Sequence, residues 1–129
     1  MKKNVLFVCV ENSCRSQMAE AFAKIHGSGK ANIYSSGSKP SGVVNPKAIE
    51  SMSELGYDLS QHDSKSLQQI PQIEYDAVIT MGCGDECPFV RGKIRQDWKL
   101  PDPKHMPLEE FRKVRDEIEE KVKNLLLNL

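Results

Sequence analysis

The sequence predicts an α/β fold in which a small parallel β-sheet is covered by helices on both faces, forming a three-layer sandwich. Short runs of branched and aromatic residues alternate with amphipathic segments at helical spacing, which is typical of strands joined by helical crossovers. Glycine and proline residues mark the points where these helices end or begin. With 129 residues, no internal repeat and no linker-like stretch, the chain is expected to form one domain over residues 1–129.

The first part of the chain predicts a strand, a helix and a second strand. Asn4–Cys9 is a short apolar run of the kind found in a parallel strand that is buried on both faces. A helix is expected after it and should end at Gly27. The apolar face of this helix is formed by Met18, Ala19, Phe22, Ala23 and Ile25. Ala31–Ser35 then predicts the second strand.

The remainder of the chain predicts two more helices and another buried strand. Asn45 and Pro46 have the residue types of a helix N-cap and a first helical position. The apolar face that follows them consists of Ala48, Ile49, Met52 and Leu55. Tyr75–Met81 predicts a buried strand, and a long loop is expected over Gly82–His105. A last helix should begin at Pro107, with an apolar stripe formed by Leu108, Phe111, Val114, Ile118, Val122 and Leu125.

The charge balance excludes several classes of partner. Lys and Arg number 18 and Asp and Glu also number 18, so no net basic field attracts nucleic acid or an anionic membrane. The apolar run within Met1–Val10 is too short for a membrane span and lacks a signal-peptide cleavage site. We therefore expect a cytoplasmic protein without nucleic-acid or membrane partners. In a reducing cytosol, the four cysteines indicate redox or metal chemistry rather than permanent disulfides.

The segment Cys9–Ser16 (CVENSCRS) predicts an oxyanion site. Cys9 ends a buried strand at the sheet edge where α/β folds bind ligands, and Arg15 follows six positions later, directly before a helix. The backbone N–H groups of such a loop can converge at the helix N-terminus and bind a tetrahedral anion. The predicted anion-binding residues are Val10, Glu11, Asn12, Ser13, Cys14 and Arg15.

The same loop favours a reactive thiolate at Cys9. The planar Arg15 guanidinium can bind two oxygens of the anion, and its positive field favours the ionised thiol. Ser16 can donate a hydrogen bond to that thiolate, Asn12 suits a left-handed turn position, and Cys14 is expected to be a small structural residue. Taken singly, Cys9 could be an ordinary strand residue and Arg15 a surface charge. Their spacing favours the functional interpretation but does not choose between phosphate and arsenate.

Two further cysteines, Cys83 and Cys87, lie in a glycine-rich segment (GCGDECP). If Cys83 reaches Cys9, thiolate exchange becomes possible. Arsenate bonds to Cys9, Cys83 attacks Cys9 as arsenite leaves, and Cys87 attacks Cys83 to give an exposed disulfide. Half of a zinc site is an alternative, but it needs two more ligands, and a metal there would disable the Cys9 loop. Two inert surface thiols are the other alternative.

Asp102 is the predicted general acid. It lies in the segment DWKLPDP, where Pro103 restricts it to an extended conformation and stiffens the chain. A carboxyl group held near the anion can protonate the departing oxygen. The alternative is an ordinary aspartate in a turn, which would be the preferred interpretation without the Cys9 loop.

Together these motifs resemble the arsenate reductases built on the low-molecular-weight tyrosine phosphatase fold. The similarity covers nearly the whole chain and rests on the segments CVENSCRSQMAEA, NPKAIE, VITMGCGDECP, DWKLPDP and FRKVRDEI. It implies a four-stranded parallel sheet and no bound cofactor. It implies that Cys9 is the nucleophile, with Arg15 and Ser16 as partners of the anion and the thiolate. It also implies that Asp102 is the acid and that Cys83 and Cys87 form a thiol relay. An external thiol donor, usually thioredoxin, regenerates the relay in that family.

The similarity also separates this chain from true phosphatases of the same fold. Those proteins typically have Pro where Gln17 stands and tyrosines where Lys104 and His105 stand, and they lack the second pair of cysteines. Some relatives bind potassium beside the Cys9 loop. In this chain Lys65 stands where an acidic ligand is expected, so no essential metal is predicted.

Three functions are compatible with these residues. The leading hypothesis is a monomeric arsenate reductase, with phosphate and sulfate as competing oxyanions. The second is a phosphomonoesterase such as a low-molecular-weight protein tyrosine phosphatase, which needs Cys9 and Asp102 but no relay. The third is a phosphate or arsenite sensor that binds without turnover. The best-known reductases space their relay cysteines more widely, which leaves thioredoxin, glutaredoxin with glutathione, and mycothiol as donors to compare.

Overall fold

The fold is taken from a computed structural model that describes residues 2–82 and 90–129. Its strands are β1 (Lys3–Cys9), β2 (Ala31–Gly37), β3 (Tyr75–Thr80) and β4 (Gly92–Asp97). Its α-helices are α1 (Arg15–His26), α2 (Pro46–Ser53) and α3 (Leu108–Leu127), and short 3-10 helices span Leu59–Gln61 and Leu67–Gln69. The strands form one parallel sheet in the order β2, β1, β3, β4. These elements confirm the predicted α/β class and the four-stranded parallel sheet.

Strand β1 is the centre of the core. Its residues Val5, Leu6, Phe7 and Val8 are fully buried, because the strand is paired on both edges and covered on both faces. Val5 and Phe7 belong to the larger of two apolar clusters, whereas Leu6 and Val8 belong to the smaller one. A continuous apolar run is therefore required here, rather than the alternating pattern of a strand with one exposed face.

Helices α1, α2 and α3 pack on the side of the larger cluster. Met18 and Phe22 of α1 and Phe111 and Ile118 of α3 are fully buried there. Burying each such side chain stabilises the fold by about 1.5–3 kcal/mol, before the entropic cost of ordering the chain. On the other face of the sheet, the 3-10 helix Leu67–Gln69 packs against the smaller cluster. None of the helices in the described ranges is both long and apolar enough to cross a membrane.

Two details of the predicted secondary structure are wrong. The predicted loop Gly82–His105 contains β4, an edge strand whose only large apolar residue, Ile94, is 40% exposed. Backbone hydrogen bonds pair this strand with β3, and they require no particular pattern of side chains, so the sequence did not indicate a strand here. The predicted apolar helix faces include Ile25 and Leu55, which are 43% and 45% exposed. Ile25 lies in the last turn of α1, and Leu55 lies beyond the end of α2.

The N-terminus of α2 confirms the predicted cap. Asn45 has an extended backbone, and its Oδ1 accepts the Lys47 N–H at 2.8 Å, while Pro46 is the first helical residue. The backbone N–H of Asn45 also donates to the carbonyl of Ser13 at 3.0 Å. The cap therefore joins α2 to the loop that follows β1.

Replacing Asn45 with alanine is expected to lower the free energy of unfolding by about 1 kcal/mol, because the Lys47 N–H loses its side-chain acceptor. Asn45→Asp keeps an acceptor oxygen and is the matched control, which should cost only a few tenths of this. Urea unfolding followed by circular dichroism measures both variants. An equal loss in the two variants would contradict the capping role.

Candidate oxyanion site

A pocket lies at the carboxyl edge of the sheet, where Cys9 ends β1 and Arg15 begins α1. Among the described residues, it is lined by Cys9, Val10, Glu11, Ser13, Cys14, Arg15, Gly82, Leu100, Pro101, Asp102 and Lys104. We refer to residues 9–15 as the Cys9 loop and to residues 100–104 as the Asp102 loop. The fold thus brings together these two loops and the chain that leaves β3, although they are far apart in sequence.

Hydrogen bonds from flanking segments engage the carbonyl groups of the Cys9 loop. The carbonyls of four of its residues accept backbone N–H groups from outside the loop: Ser38 donates to Cys9, Lys39 to Val10, Ser41 to Glu11 and Asn45 to Ser13. Within residues 2–82 and 90–129, the backbone N–H groups of Glu11–Cys14 donate to no protein acceptor. Because the carbonyls are engaged from outside and these donors are free, the loop offers partial positive charge to an anion in the pocket.

The close approach of β2 to this loop requires glycine at position 37. A Cβ atom at Gly37 would lie 2.5 Å from the carbonyl oxygen of Val10 and 2.9 Å from the backbone nitrogen of Asn12. Both distances are well inside van der Waals contact, and both partners are backbone atoms. Any side chain at this position would therefore displace the Cys9 loop.

Cys9 is buried, with 3% of the residue exposed, and its thiol contacts Ser16. The Cys9 Sγ lies 2.9 Å from the Ser16 Oγ, and the Asn12 Nδ2 donates to the same Oγ at 2.8 Å. Because the Asn12 amide donates to Ser16, the hydroxyl proton of Ser16 is available to the sulfur. A hydrogen bond of this kind stabilises a thiolate over a thiol. The geometry therefore supports the predicted pairing of Cys9 with Ser16.

Asn12 adopts the left-handed turn that its residue type predicts, with a φ of 51°. Its Oδ1 accepts from the Gln17 Nε2 at 2.9 Å and from the Lys65 N–H at 2.8 Å. Gln17 is fully buried and also donates to the carbonyls of Asn12 and Asp63. Sequence reasoning notes Gln17 only as a difference from the phosphatases. Its position on the buried side of α1, where a polar side chain needs partners, is the signal that could have identified it.

A buried carboxylate, Glu20, belongs to the same polar network. Burial by itself raises the pKa of Glu20, but hydrogen bonds from Lys24 and Ser35 oppose this effect. The charges of His62 and Lys65 act in the same direction as these bonds, so the pKa of Glu20 is lowered overall. The Lys65 Nζ lies 3.8 Å from the Glu20 Oε1, and the absence of a potassium requirement stays a prediction. No group of three His, Cys, Asp or Glu side chains in the described ranges could hold a metal ion.

Arg15 connects the segments that meet at the pocket. Its Nη1 donates to the carbonyl of Met81 at 2.5 Å, just beyond β3, and to the carbonyl of Leu100 at 3.1 Å. Its Nη2 lies 3.9 Å from the Asp102 Oδ2. The guanidinium is buried and fixed in the pocket wall, where its planar fork can bind two oxygens of a tetrahedral anion.

Asp102 lines the same pocket as Cys9, as the predicted acid must. Its side chain is 55% exposed, and its Oδ1 accepts the backbone N–H of Lys104 at 3.1 Å. One carboxyl oxygen thus shapes the Asp102 loop. The other oxygen lies toward Arg15 and is the candidate proton donor.

The predicted relay residues, Cys83 and Cys87, lie outside the described residues. Gly82, the residue before Cys83, lines the pocket and has a φ of 82°, in the region that favours glycine. The Asp97 Oδ1 at the end of β4 accepts the Gly82 N–H at 3.0 Å. The chain is therefore fixed at the pocket immediately before Cys83. Sequence reasoning does not single out Asp97, because it does not recognise β4.

Cys14 also lines the pocket, but its thiol is in a different environment. Burial raises the pKa of Cys14 to about 11, and a hydrogen bond with Ser13 opposes this effect only in part. Cys14 is therefore a neutral thiol at neutral pH and a poor nucleophile. This supports the structural role that the sequence predicts for it.

Comparison with known proteins finds relatives over nearly the whole chain. The family described as low molecular weight phosphotyrosine protein phosphatase matches residues 4–129. The glutaredoxin arsenate reductase of Synechocystis sp. is 45% identical over 130 residues, covering 98% of both proteins. A solved structure of an arsenate reductase in the phosphate binding state is 45% identical with a TM-score of 0.89, covering 99% of this chain and 98% of that chain. A thioredoxin-dependent arsenate reductase of Corynebacterium glutamicum is 33% identical with a TM-score of 0.75, covering 99% of this chain and 64% of that chain.

The raised pKa of Cys14 should make the protein sensitive to alkali. The thiol of Cys14 has its ordinary pKa of 9.0 in the unfolded chain and a pKa of about 11 in the folded chain. Between these values the unfolded state binds fewer protons, so stability falls as the pH rises. From pH 8 to pH 11, the wild type should lose on the order of 2 kcal/mol more than Cys14→Ala, as measured by urea unfolding in reductant. Parallel stability curves for the two proteins would contradict this assignment.

Proposed function

Because the chain belongs to the low molecular weight phosphotyrosine protein phosphatase family, we propose that its pocket binds a tetrahedral oxyanion and that its function is the reduction of arsenate to arsenite. Relatives that are 45% identical over nearly their full length are arsenate reductases. The observation that carries the proposal is that Gly82, which is joined directly to Cys83, lines the same pocket as Cys9. A phosphatase needs no cysteine at that point, whereas a reductase needs a second thiol there.

In the first step, Cys9 acts as the nucleophile. Its thiolate, stabilised by the Ser16 hydroxyl and the free N–H groups of the Cys9 loop, attacks the arsenic atom of arsenate. Arg15 binds two of the other oxygens and neutralises their charge as the sulfur–arsenic bond forms. Asp102 donates a proton to the departing oxygen, which leaves as water. Arsenic remains As(V) in this adduct.

In the second step, Cys83 attacks the sulfur of Cys9. The bond between Cys9 and arsenic breaks, its electron pair goes to arsenic, and As(V) leaves as arsenite, As(III). Cys9 and Cys83 are oxidised together to a disulfide. Cys87 then attacks Cys83 and releases the Cys9 thiolate for the next cycle. The remaining disulfide between Cys83 and Cys87 is reduced by an external thiol donor.

For this donor we propose thioredoxin. The product is an intramolecular disulfide, which a dithiol can reduce without leaving a stable mixed disulfide. One relative is a glutaredoxin arsenate reductase and another is thioredoxin-dependent, so glutaredoxin with glutathione is the second candidate. We also propose a monomer in the cytoplasm, where reducing conditions keep the thiols free.

Phosphoester hydrolysis is the second candidate function. Family membership and the geometry of Cys9, Arg15 and Asp102 favour it, because attack on phosphorus gives a phosphocysteine that water can hydrolyse. This reaction uses neither Cys83 nor Cys87. A slow phosphatase side activity is therefore expected of the reductase, and variants of the relay separate the two functions.

Cys83→Ser and Cys87→Ser are each expected to lower steady-state arsenate reduction by at least about 100-fold, because each removes one thiol of the relay. Arsenate-dependent NADPH consumption with thioredoxin and thioredoxin reductase measures this loss. Cys87→Ser should still release one arsenite per molecule in a single turnover, whereas Cys83→Ser should release none.

Hydrolysis of p-nitrophenyl phosphate is the control for these variants. It depends on Cys9 and should stay within about twofold of wild type in both relay variants, while Cys9→Ser should abolish both activities. Wild-type arsenate reduction by Cys83→Ser would reject the relay and leave phosphoester hydrolysis as the function.

Thioredoxin with its reductase should support arsenate turnover at least about tenfold faster than glutaredoxin with glutathione, or mycothiol, at equal donor concentration. The coupled NADPH assay with each donor in turn measures the ranking. A faster rate with another donor would reject thioredoxin but not the relay, since the chemistry at Cys9 is the same with every donor.

A further inference from the structure

The side chain of Glu11 is unexpected in a pocket that binds an oxyanion, because its carboxylate repels the substrate. Both Glu11 and Lys104 line the pocket. The Lys104 Nζ lies 3.0 Å from the Glu11 Oε1 and 2.8 Å from the Oε2, so the ammonium contacts both oxygens. This hydrogen-bonded contact raises the pKa of Lys104. The pair joins the Cys9 loop to the Asp102 loop and adds no net charge to the pocket.

Lys104 is part of the turn that carries Asp102. The backbone N–H of Lys104 donates to the Asp102 Oδ1 at 3.1 Å, so a shift of Lys104 also shifts the carboxyl group. The backbone of Glu11 is held in place, because its carbonyl accepts the Ser41 N–H at 3.1 Å and the Ser64 hydroxyl at 2.9 Å. The ion pair therefore ties a partly exposed turn to an anchored part of the Cys9 loop.

We propose that Glu11 and Lys104 form an ionic clip that positions Asp102 to protonate the departing oxygen. Arg15 attaches the Asp102 loop before the acid, through the Leu100 carbonyl at 3.1 Å. The clip attaches the same loop after the acid, through Lys104. Glu11 and Lys104 are thus positioning residues, and their role rests on the proposed function of Asp102 as the acid.

The clip also sets the affinity of the pocket for anions. Without the Glu11 carboxylate, the ammonium of Lys104 is free to bind the oxyanion. Without Lys104, the carboxylate of Glu11 is left unpaired beside the anion. The two deletions therefore change anion affinity in opposite directions, although both release the Asp102 loop. Because the side chains of Lys104 and Glu11 are 39% and 33% exposed, solvent screens the pair and moderate effects are expected.

The test compares Glu11→Gln and Lys104→Met on two aryl phosphates. Phenyl phosphate needs a proton on its leaving group, whereas p-nitrophenyl phosphate does not. The ratio of kcat/KM for p-nitrophenyl phosphate to that for phenyl phosphate should rise roughly 3- to 10-fold in each variant, because only the protonated step is impaired. The double variant should show no larger rise than the single variants, since they break one contact.

Inhibition by inorganic phosphate provides a readout that a merely structural role would not produce. Its inhibition constant should fall in Glu11→Gln and rise in Lys104→Met, each by about threefold. Glu110→Gln is the matched control, because it breaks the ion pair of α3 between Glu110 and Lys113 at 3.4 Å. It should leave both the ratio and the inhibition constant at wild-type values.

The same measurements in Asp102→Asn decide whether the clip acts through the acid. Asp102→Asn alone should raise the ratio, and adding Glu11→Gln should raise it no further. The positioning role of the clip would be overturned by a further rise of the ratio in the double variant. It would also be overturned if Glu11→Gln and Lys104→Met, each made in the otherwise wild-type protein, both left the ratio unchanged; the acid role of Asp102 would survive either result. An unchanged ratio in Asp102→Asn itself would reject the acid role and the clip with it. Neither result touches the relay, which these substrates do not use.

Discussion

Hydrogen bonds from residues 38–45 to the carbonyls of the Cys9 loop fix the direction of the peptide units around the pocket. An anion is bound only if several N–H groups converge on it, and convergent donors without partners cost about 1–3 kcal/mol each when they are shielded from water. The loop cannot meet this cost alone. Residues 38–45, which include the N-cap of α2, and the side-chain amide of Gln17 hold the loop in the required conformation before an anion binds.

Arg15 extends this preorganisation beyond its own loop. One terminal guanidinium nitrogen donates to the carbonyls of Met81 and Leu100, and the second terminal nitrogen lies beside Asp102. One side chain therefore sets the spacing between the Cys9 loop, the Asp102 loop and the chain that leads to Cys83. Lysine could not do this, because a point charge lacks the planar fork that serves protein and anion at once. In the proposed mechanism, anion binding, proton donation and thiol exchange therefore all depend on the position of Arg15.

The sequence was sufficient to predict which residues meet at the pocket where local geometry leaves few alternatives. Cys9 and Arg15 could be predicted because a strand, a short loop and a helix leave few ways to surround an anion, and Asn12 because few residues tolerate its φ of 51°. Local geometry of this kind does not identify Gln17 or Asp97, although the position of Gln17 on the buried side of α1 indicates that its side chain needs polar partners. Their functions arise from contacts with distant segments, and the strand that ends at Asp97 has a polar, exposed sequence that resembles a loop.

Gly37 shows how much of the site depends on a residue without reactive groups. It ends a neighbouring strand and touches the backbone of the Cys9 loop, where even one methyl group would find no space. A relative with alanine at this position would still have Cys9, Asp102 and Arg15, so a search for the functional motif would find nothing missing. Its pocket would nevertheless have lost its curvature. Identifying active proteins among relatives that carry this motif therefore requires inspecting the unreactive residues that contact the motif as well as the motif itself.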